Sequence, residues 1–352
     1  MGFDVFIYNA NYVHENSWTY DGIEYELAKG FNFGNRLISR AIQKLFDIPN
    51  ENLVNSDEVI AHQDYAILNV QDHVRAELMQ HLRSLCESLN ADKTIIVSIG
   101  SNMFNNRPNL DLDEKVASFL SRVSAHSKIG VRGLFTKTIF ESLNINNAQI
   151  NGCPTFWTFG LDSEKIYSRS KILEECYDSD AMNILIGGDV LPPEGHRFSF
   201  LCQGDYDRDQ SLTCLKHNVL SKTSYGFHGQ NIPFMFDHWP TLKKAENIFL
   251  PIEPTEELFK HLSDFDLYIG SRIHGCITAL NAGVPSVNTN YDFRALEMCY
   301  ALGIPHISQF PGFAINHTWL KTLSRQCGLL QRNYEKQKTK MLKSMRGTLG
   351  IS

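Results

Sequence analysis

The sequence contains no apolar run that approaches the ~20 residues of a membrane-spanning helix. Residues 1–9 show neither a basic start nor an apolar segment, so we expect no signal peptide. The 23 Gly and 12 Pro residues are too few for a collagen-like chain or for low-complexity linkers. With 352 residues, 43% of them hydrophobic and 20% charged, the sequence is typical of a globular protein of about two domains.

Paired cysteines and zinc-binding spacings are also missing. The eight cysteines include no C-x-x-C pair, and the histidines include no His-Glu-x-x-His pattern. We therefore expect reduced, mostly buried thiols in a cytoplasmic protein, and no metal centre. The acidic loop Asp205–Asp209 lacks the Gly and Glu that an EF-hand places sixth and twelfth. An Asp-x-Asp metal site of a nucleotide-sugar enzyme is the alternative for this loop.

The net charge of −6 lacks the basic excess of nucleic-acid-binding proteins, so we expect no nucleic-acid partner. The charge is unevenly distributed, because residues 321–352 carry +7 and the remainder carries −13. A basic helical tail is typical either of a solvated last helix or of a segment that contacts an anionic membrane surface. Both interpretations remain open for residues 321–352.

Short apolar runs alternate with helical patterns along the chain. Strands are predicted at residues 4–8, 93–98, 128–131, 148–151, 183–186, 198–202, 232–236, 247–250, 266–269 and 286–288. Helices are predicted over 74–89, 116–123 and 134–143, and the stretch 162–180 is polar. This alternation predicts an α/β fold with parallel sheets. Because the pattern restarts, we predict two Rossmann-like domains facing across a cleft, residues 1–165 and 166–320, followed by the helical tail 321–352.

The ends of the predicted strands carry the chemistry, since ligands of such sheets bind there. After the strand 266–269 come Ser271, Arg272, His274 and Gly275, where the next helix begins. A helix N-terminus attracts anions, and the Arg272 guanidinium matches a phosphate or a carboxylate. His274 can carry a proton near neutral pH. The alternative interpretation of this turn is a helix cap with a structural Arg and His.

A second cationic turn follows the predicted strand 128–131. Arg132 lies there at the carboxyl end of a strand in the first domain, where it would converge with Arg272 on the cleft. A surface Arg paired with a nearby Glu is the alternative. Cys153 lies in a tight turn, has no apparent catalytic partner, and is predicted to be a packing residue. Further substrate-binding candidates are Asn32, Asn35, Ser101, Asn102, Tyr291 and Arg294.

The segment Ser271–Gly275, with residues 279–285 and the pair Tyr291 and Arg294, resembles the signature of polysaccharide pyruvyl transferases. Residues 130–136 and 152–155 resemble the middle block of that family, and the resemblance spans roughly residues 30–300. One departure is Asn35, where many members have an Asp, so no proton transfer is assigned to it. Residues 11–29 match nothing in the family, and a role in shaping the acceptor site is the hypothesis for this loop.

The resemblance implies a fold similar to that of the GT-B glycosyltransferases, with phosphoenolpyruvate as the donor and no nicotinamide or flavin cofactor. It implies a pair of sugar hydroxyls as the acceptor, on a surface polysaccharide or a precursor that is free or lipid-linked. Arg132 and Arg272 would then bind the phosphate or carboxylate of the donor. His274 would transfer a proton or hydrogen-bond the phosphate, and the residues leave both roles open. A nucleotide-sugar glycosyltransferase and a non-catalytic carbohydrate-binding protein are the rival functions.

Overall fold

The structure is a computed structural model that describes most of the chain. The described residues are 5–9, 14–20, 23–28, 33–48, 53–54, 65–69, 76–101, 112–176, 182–188, 190, 196–201, 248–249, 255–289, 293–307 and 315–347. The predicted strand at 232–236 and the acidic loop Asp205–Asp209 lie outside them.

The first half of the chain is built on a parallel sheet. Its strands are β1 Val5–Asn9, β2 His14–Tyr20, β3 Ile23–Ala28, β4 Leu53–Val54, β5 Tyr65–Asn69, β6 Thr94–Ile96, β7 Ile129–Val131 and β8 Ala148–Ile150. Its helices are α1 Phe33–Phe46, α2 Ala76–Ser88, α3 Glu114–His126, α4 Leu134–Ser142 and α5 Pro154–Thr158. The sheet has the order β4-β1-β5-β6, and β7 and β8 continue it through a parallel bridge between Ile99 and Val131. The strand order changes direction beside β1, as in doubly wound folds.

The second half is built on another parallel sheet, with the order β11-β10-β9-β12-β13. These strands are β9 Asn183–Gly187, β10 Arg197–Leu201, β11 Ile248–Phe249, β12 Leu267–Gly270 and β13 Ser286–Asn288. The helices are α6 Ser163–Glu175, α7 Thr255–Leu262, α8 Ile273–Asn281, α9 Phe293–Leu302 and α10 His317–Gly347. In order of appearance the strands read 3-2-1-4-5, which is the Rossmann arrangement. The predicted fold class, α/β with two Rossmann-like sheets facing across a cleft, is confirmed. The boundaries at 165 and 320 stay predictions.

The central strands of the second sheet are apolar and lie in the interior of the protein. Residues 184–186 of β9 and all four residues of β12 are buried, as expected for parallel strands covered on both faces. One core cluster joins side chains of the second sheet to Leu37 and Ile38 of α1 and to Phe156 of α5. Because this cluster is continuous, elements of the first half are anchored on the second half.

Several elements differ from the prediction. The unmatched loop 11–29 contains the antiparallel pair β2 and β3, which flank Asp21-Gly22, a dipeptide typical of hairpins. The polar stretch 162–180 contains α6, whose N-cap Asp162 accepts a hydrogen bond from the Lys165 amide at 2.9 Å. Strand β5 was not predicted, and yet it pairs with β1 and β6 inside the sheet.

The predicted basic tail belongs to α10, which begins at His317 and packs along the molecule. Its Tyr334 is buried, stacks on Trp157 with 5.7 Å between the ring centroids, and donates a hydrogen bond to the Phe156 carbonyl at 3.3 Å. The helix therefore connects the second half of the chain to α5 at the end of the first sheet. None of the helices in the described part of the chain is long and apolar enough to cross a membrane.

Candidate active site

The turn that carries Arg272 lies at the point where the second sheet reverses its strand order. β9 and β12 are neighbours there, and the Ser271 amide donates a hydrogen bond to the Gly187 carbonyl at 3.1 Å. Gly188 has a φ of +73°, and a Cβ on it would overlap Ser271 Oγ and approach Arg272 Cγ at 3.0 Å. The backbone of β9 therefore packs directly against this turn. Such a crevice is the usual ligand site of a Rossmann-like sheet.

His274 points from the first turn of α8 toward the first half of the chain. Its Nε2 lies 3.7 Å from the Sγ of Cys153, and that sulfur lies 3.0 Å from Thr155 Oγ1. Cys153 is fully buried. Burial raises the pKa of the Cys153 thiol, although the charge of Arg132 and hydrogen bonds with Thr155 act in the opposite direction. The thiol is therefore neutral at neutral pH and is not an activated nucleophile. Cys153 is not only a packing residue, because it contacts the imidazole.

Arg132 comes to the same place from β7. Its backbone amide donates to the Ile99 carbonyl at 2.9 Å, and only 1% of the residue is exposed. The charge of Arg132 lowers the pKa of the Cys153 thiol, against the larger effect of burial. The predicted alternative, a surface arginine, is wrong, since Arg132 is buried. The structure thus brings His274 of the second half of the chain into contact with Cys153, while Arg132 is buried at the end of β7.

Helix N-termini add positive potential around these side chains. Gly34 lies in the first turn of α1, and a Cβ on it would overlap the His274 ring, with Cγ at 2.7 Å. Arg272 is the N-cap of α8, and Gly133, which follows Arg132, is the N-cap of α4. The unpaired amides at such ends attract anions. Arg272, His274 and the starts of α1 and α8 thus lie together, and such a combination suits a small anionic ligand.

The family model for polysaccharide pyruvyl transferase matches residues 4–293, which is most of the chain. The chain belongs to the polysaccharide pyruvyl transferase family. It is therefore a transferase that acts in polysaccharide metabolism. The resemblance read from the Ser271–Gly275 segment is confirmed by this match.

Solved structures similar to this pyruvyl transferase are distant from it. A UDP-GlcNAc 2-epimerase from Methanocaldococcus jannaschii is 10% identical, with 84% of this chain and 75% of that chain covered and a TM-score of 0.32. An H444N variant of the wall teichoic acid polymerase TagF is 12% identical, with 92% and 85% covered and a TM-score of 0.26. At these scores neither likeness bears on the function. No curated protein matches the chain.

A buried carboxylate fixes the Arg132 side of the pyruvyl transferase site. Glu297 of α9 accepts hydrogen bonds from the Thr136 amide at 3.0 Å and from the Thr136 hydroxyl at 2.8 Å. A Cβ on Gly133 would lie 2.8 Å from the Glu297 carboxylate, so this side chain covers the start of α4. A negative charge at a helix N-terminus is stabilising. Glu297 therefore ties the turn after Arg132 to the second half of the chain, which the sequence patterns did not indicate.

We expect Glu297→Ala to lower the free energy of unfolding by about 1.5–3 kcal/mol, because a buried charged acceptor and its two hydrogen bonds are lost. The urea midpoint measures the change. Glu141→Ala on α4 is the matched control, since Glu141 is exposed, is paired only with Lys137 at 3.3 Å, and should shift stability by less than about 1 kcal/mol. Equal midpoints for the two variants would contradict the role of Glu297.

The remaining predicted binding residues are distributed around the site. Ser271 is buried in the Arg272 turn, and Gly275 is buried in the first turn of α8. The Ser101 amide donates to Thr136 Oγ1 at 3.0 Å, and a role of Ser101 in substrate binding stays a prediction. Arg294 is half-buried in the first turn of α9, and Asn35 lies in the first turn of α1. Three predicted residues lie outside the described ones: Asn32, Asn102 and Tyr291.

Sequence reasoning missed the contacts of Gly34, Cys153 and Glu297. Gly34 precedes Asn35 where the family has a Gly-Asp pair, and Cys153 lies in the block 152–155 that carries part of the resemblance. Both positions were thus marked by a motif, although their contacts were not. Glu297 stood in no motif. In the described residues no group of three His, Cys, Asp or Glu side chains is arranged to hold a metal ion.

Proposed function

We propose that the site transfers pyruvate from phosphoenolpyruvate to two hydroxyls of one sugar in a surface polysaccharide or its precursor. The methylene carbon of the donor takes a proton and becomes the methyl group. The central carbon forms bonds to both hydroxyl oxygens, and its bond to the phosphate oxygen breaks. The two hydroxyls lose two protons. One replaces the proton that the methylene carbon has taken, and the other leaves with phosphate. The product is a pyruvate ketal.

The observation that carries this proposal is the contact of His274 with Cys153, which brings the Arg272 turn against the first half of the chain, where Arg132 is buried. Phosphoenolpyruvate has a phosphate and a carboxylate on adjacent groups, and two guanidinium groups match such a pair of anions. The starts of α1 and α8 supply further positive potential. Family membership supports pyruvyl transfer over the rival glycosyl transfer from a nucleotide sugar.

We assign proton delivery to the imidazole of His274. His is the side chain whose ordinary pKa allows both protonation states near neutral pH, which suits a general acid. The ring is held between Gly34 and the neutral thiol of Cys153, so its orientation is fixed before the donor binds. The chain's own residues would neutralise the donor and move the proton, and the proposal includes no nicotinamide, flavin or metal.

The setting of the reaction is part of the proposal. The six described cysteines are all free thiols, which fits the reducing cytoplasm. The acceptor would be a glycan or a lipid-linked precursor, and contact of the basic tail with the inner face of the membrane stays a prediction.

We expect Arg272→Ala to raise the KM for phosphoenolpyruvate roughly 10- to 150-fold, because a charge-assisted contact in a half-buried site is worth about 1.5–3 kcal/mol. Phosphate release in the presence of the acceptor measures KM. Arg325→Ala, at an exposed position of α10, is the matched control and should leave KM unchanged.

The same variant separates the rival functions in a thermal-shift assay. Phosphoenolpyruvate should raise the melting temperature of the unmodified chain but not that of Arg272→Ala. Stabilisation by UDP and none by phosphoenolpyruvate would overturn the proposed donor and favour a nucleotide-sugar glycosyltransferase.

A further inference from the structure

A cavity of about 570 Å³ lies where the end of α10 crosses the first half of the chain. We name it the α3–α10 groove, and its lining comprises His126, Ser127, Lys128, Asn147, Gln149, Lys340, Lys343 and Ser344. These residues come from the end of α3 and the turn before β7, from the beginning of β8, and from the last turns of α10. Three separate parts of the chain therefore form this groove.

The lining of the groove is cationic. Lys128 lies on one wall, Lys340 and Lys343 lie one helical turn apart on the other, and none of the eight lining residues is acidic. No ion pair with a described residue neutralises these three lysines, whereas His126 already contacts Asp92 at 2.9 Å. Like charges that converge without a carboxylate repel each other. A bound anion would remove this repulsion.

The polar side chains of the groove are held in place. Asn147 Nδ2 donates to the carbonyls of Ser124 at 3.0 Å and Ser127 at 3.3 Å. Ser344 Oγ donates to Asn151 Oδ1 at 3.4 Å, and the neighbouring Met345 is fully buried, so the end of α10 is anchored. The groove is thus formed before any ligand arrives, which lowers the entropic cost of binding.

The groove is separate from the active site. Lys128 precedes β7 and Arg132 follows it, so the two side chains belong to opposite ends of the same strand. Four residues of extended chain span about 13 Å. The groove lies at the amino ends of β7 and β8, whereas the donor site lies at their carboxyl ends.

We propose that the α3–α10 groove is a second anion site, which binds a phosphate group. Lysine is a common phosphate ligand, and the Gln149 amide can add a hydrogen bond to a phosphate oxygen. The phosphate belongs either to a soluble molecule or to a lipid headgroup, which share this chemistry. The site goes beyond the proposed function and does not depend on it.

The test is a calorimetric titration of the full chain with inorganic pyrophosphate. Two sites per chain are expected, one in the groove and one at the donor site. The triple variant Lys128→Gln, Lys340→Gln, Lys343→Gln should weaken the groove site at least about tenfold and leave the donor site intact. Arg272→Ala should do the reverse, so failure of the groove and failure of the donor site are distinguishable.

The matched control is the triple variant Lys321→Gln, Arg332→Gln, Lys336→Gln, which removes the same charge from exposed positions of α10 outside the groove. It should bind pyrophosphate as the unmodified chain does. Unchanged binding by the groove variant, or equal loss in both triple variants, would overturn the proposal.

Sedimentation with phosphatidylglycerol vesicles identifies the source of the phosphate. If the chain binds the vesicles and pyrophosphate displaces it from them, the phosphate belongs to a lipid headgroup. If the groove binds pyrophosphate but the chain does not bind the vesicles, the ligand is soluble.

Discussion

Replacing His274 with alanine is expected to lower kcat for phosphate release by about 10²–10⁴-fold, with a much smaller change in the KM for phosphoenolpyruvate. This is the usual contribution of a positioned general acid or base. The imidazole contacts Cys153 and Gly34, so its removal leaves in place Arg132 and Arg272, which are proposed to bind the donor. The measurement is phosphate release at saturating donor and acceptor.

Two further variants make the His274 experiment specific. His261→Ala, at an exposed histidine of α7, controls for loss of an imidazole far from the site and should keep the normal kcat. Cys153→Ala keeps the imidazole and removes its sulfur contact, so kcat should fall less than in His274→Ala. A His274→Ala enzyme with nearly normal kcat would leave His274 as a binding or capping residue.

We expect Gly130→Ala to lower the free energy of unfolding by about 2–6 kcal/mol, the largest effect on stability among these predictions. A Cβ at Gly130 would overlap the carbonyl oxygen of Val97 and the Nδ2 of Asn151. That Nδ2 donates a buried hydrogen bond of 3.0 Å to the same carbonyl. Overpacking and the loss of a buried hydrogen bond each cost about 1–3 kcal/mol. Urea unfolding measures the loss, which is a large share of the ~5–15 kcal/mol of a typical domain.

Gly160→Ala is the control for this effect. Gly160 has a φ of +83°, and a Cβ on it would meet no atom within 4 Å, so the substitution introduces backbone strain without overlap. Strain of this kind costs about 1–2 kcal/mol. If the two variants unfolded at the same urea concentration, the close approach of β7 to Val97 would not be the cause of the destabilisation by Gly130→Ala.

The apolar runs of the sequence predicted most strands of both sheets. Runs such as those of β9 and β12 are apolar because parallel strands are covered on both faces, and this pattern is visible without any partner. Strand β5 was missed although Ala66, Ile67 and Leu68 are buried, because an apolar run this short, set between polar segments, gives a weak periodic signal. The hairpin of β2 and β3 was also missed, although Asp21-Gly22 indicates it.

The candidate site was predicted in part for a related reason. Arg132, Arg272 and His274 each stand directly after a predicted strand, and the carboxyl ends of parallel strands form one edge of a sheet. The position of each residue at the edge of its own sheet could therefore be predicted from the sequence. The contact of His274 with Cys153 joins residues 121 positions apart, and the Glu297–Thr136 hydrogen bonds join residues 161 positions apart. No local pattern encodes such contacts, because they depend on how the two sheets dock.

By itself the sequence determined the α/β class, the two Rossmann-like units and the positively charged strand ends, because these follow from local periodicity and from the chemistry of adjacent residues. Only the tertiary structure decided that Arg132 is buried, that the Ser101 amide is already bonded to Thr136, and that the basic end of α10 forms a groove with Lys128. The physical reason is that burial, hydrogen-bond occupancy and charge convergence depend on residues distant in sequence, which packing alone brings together.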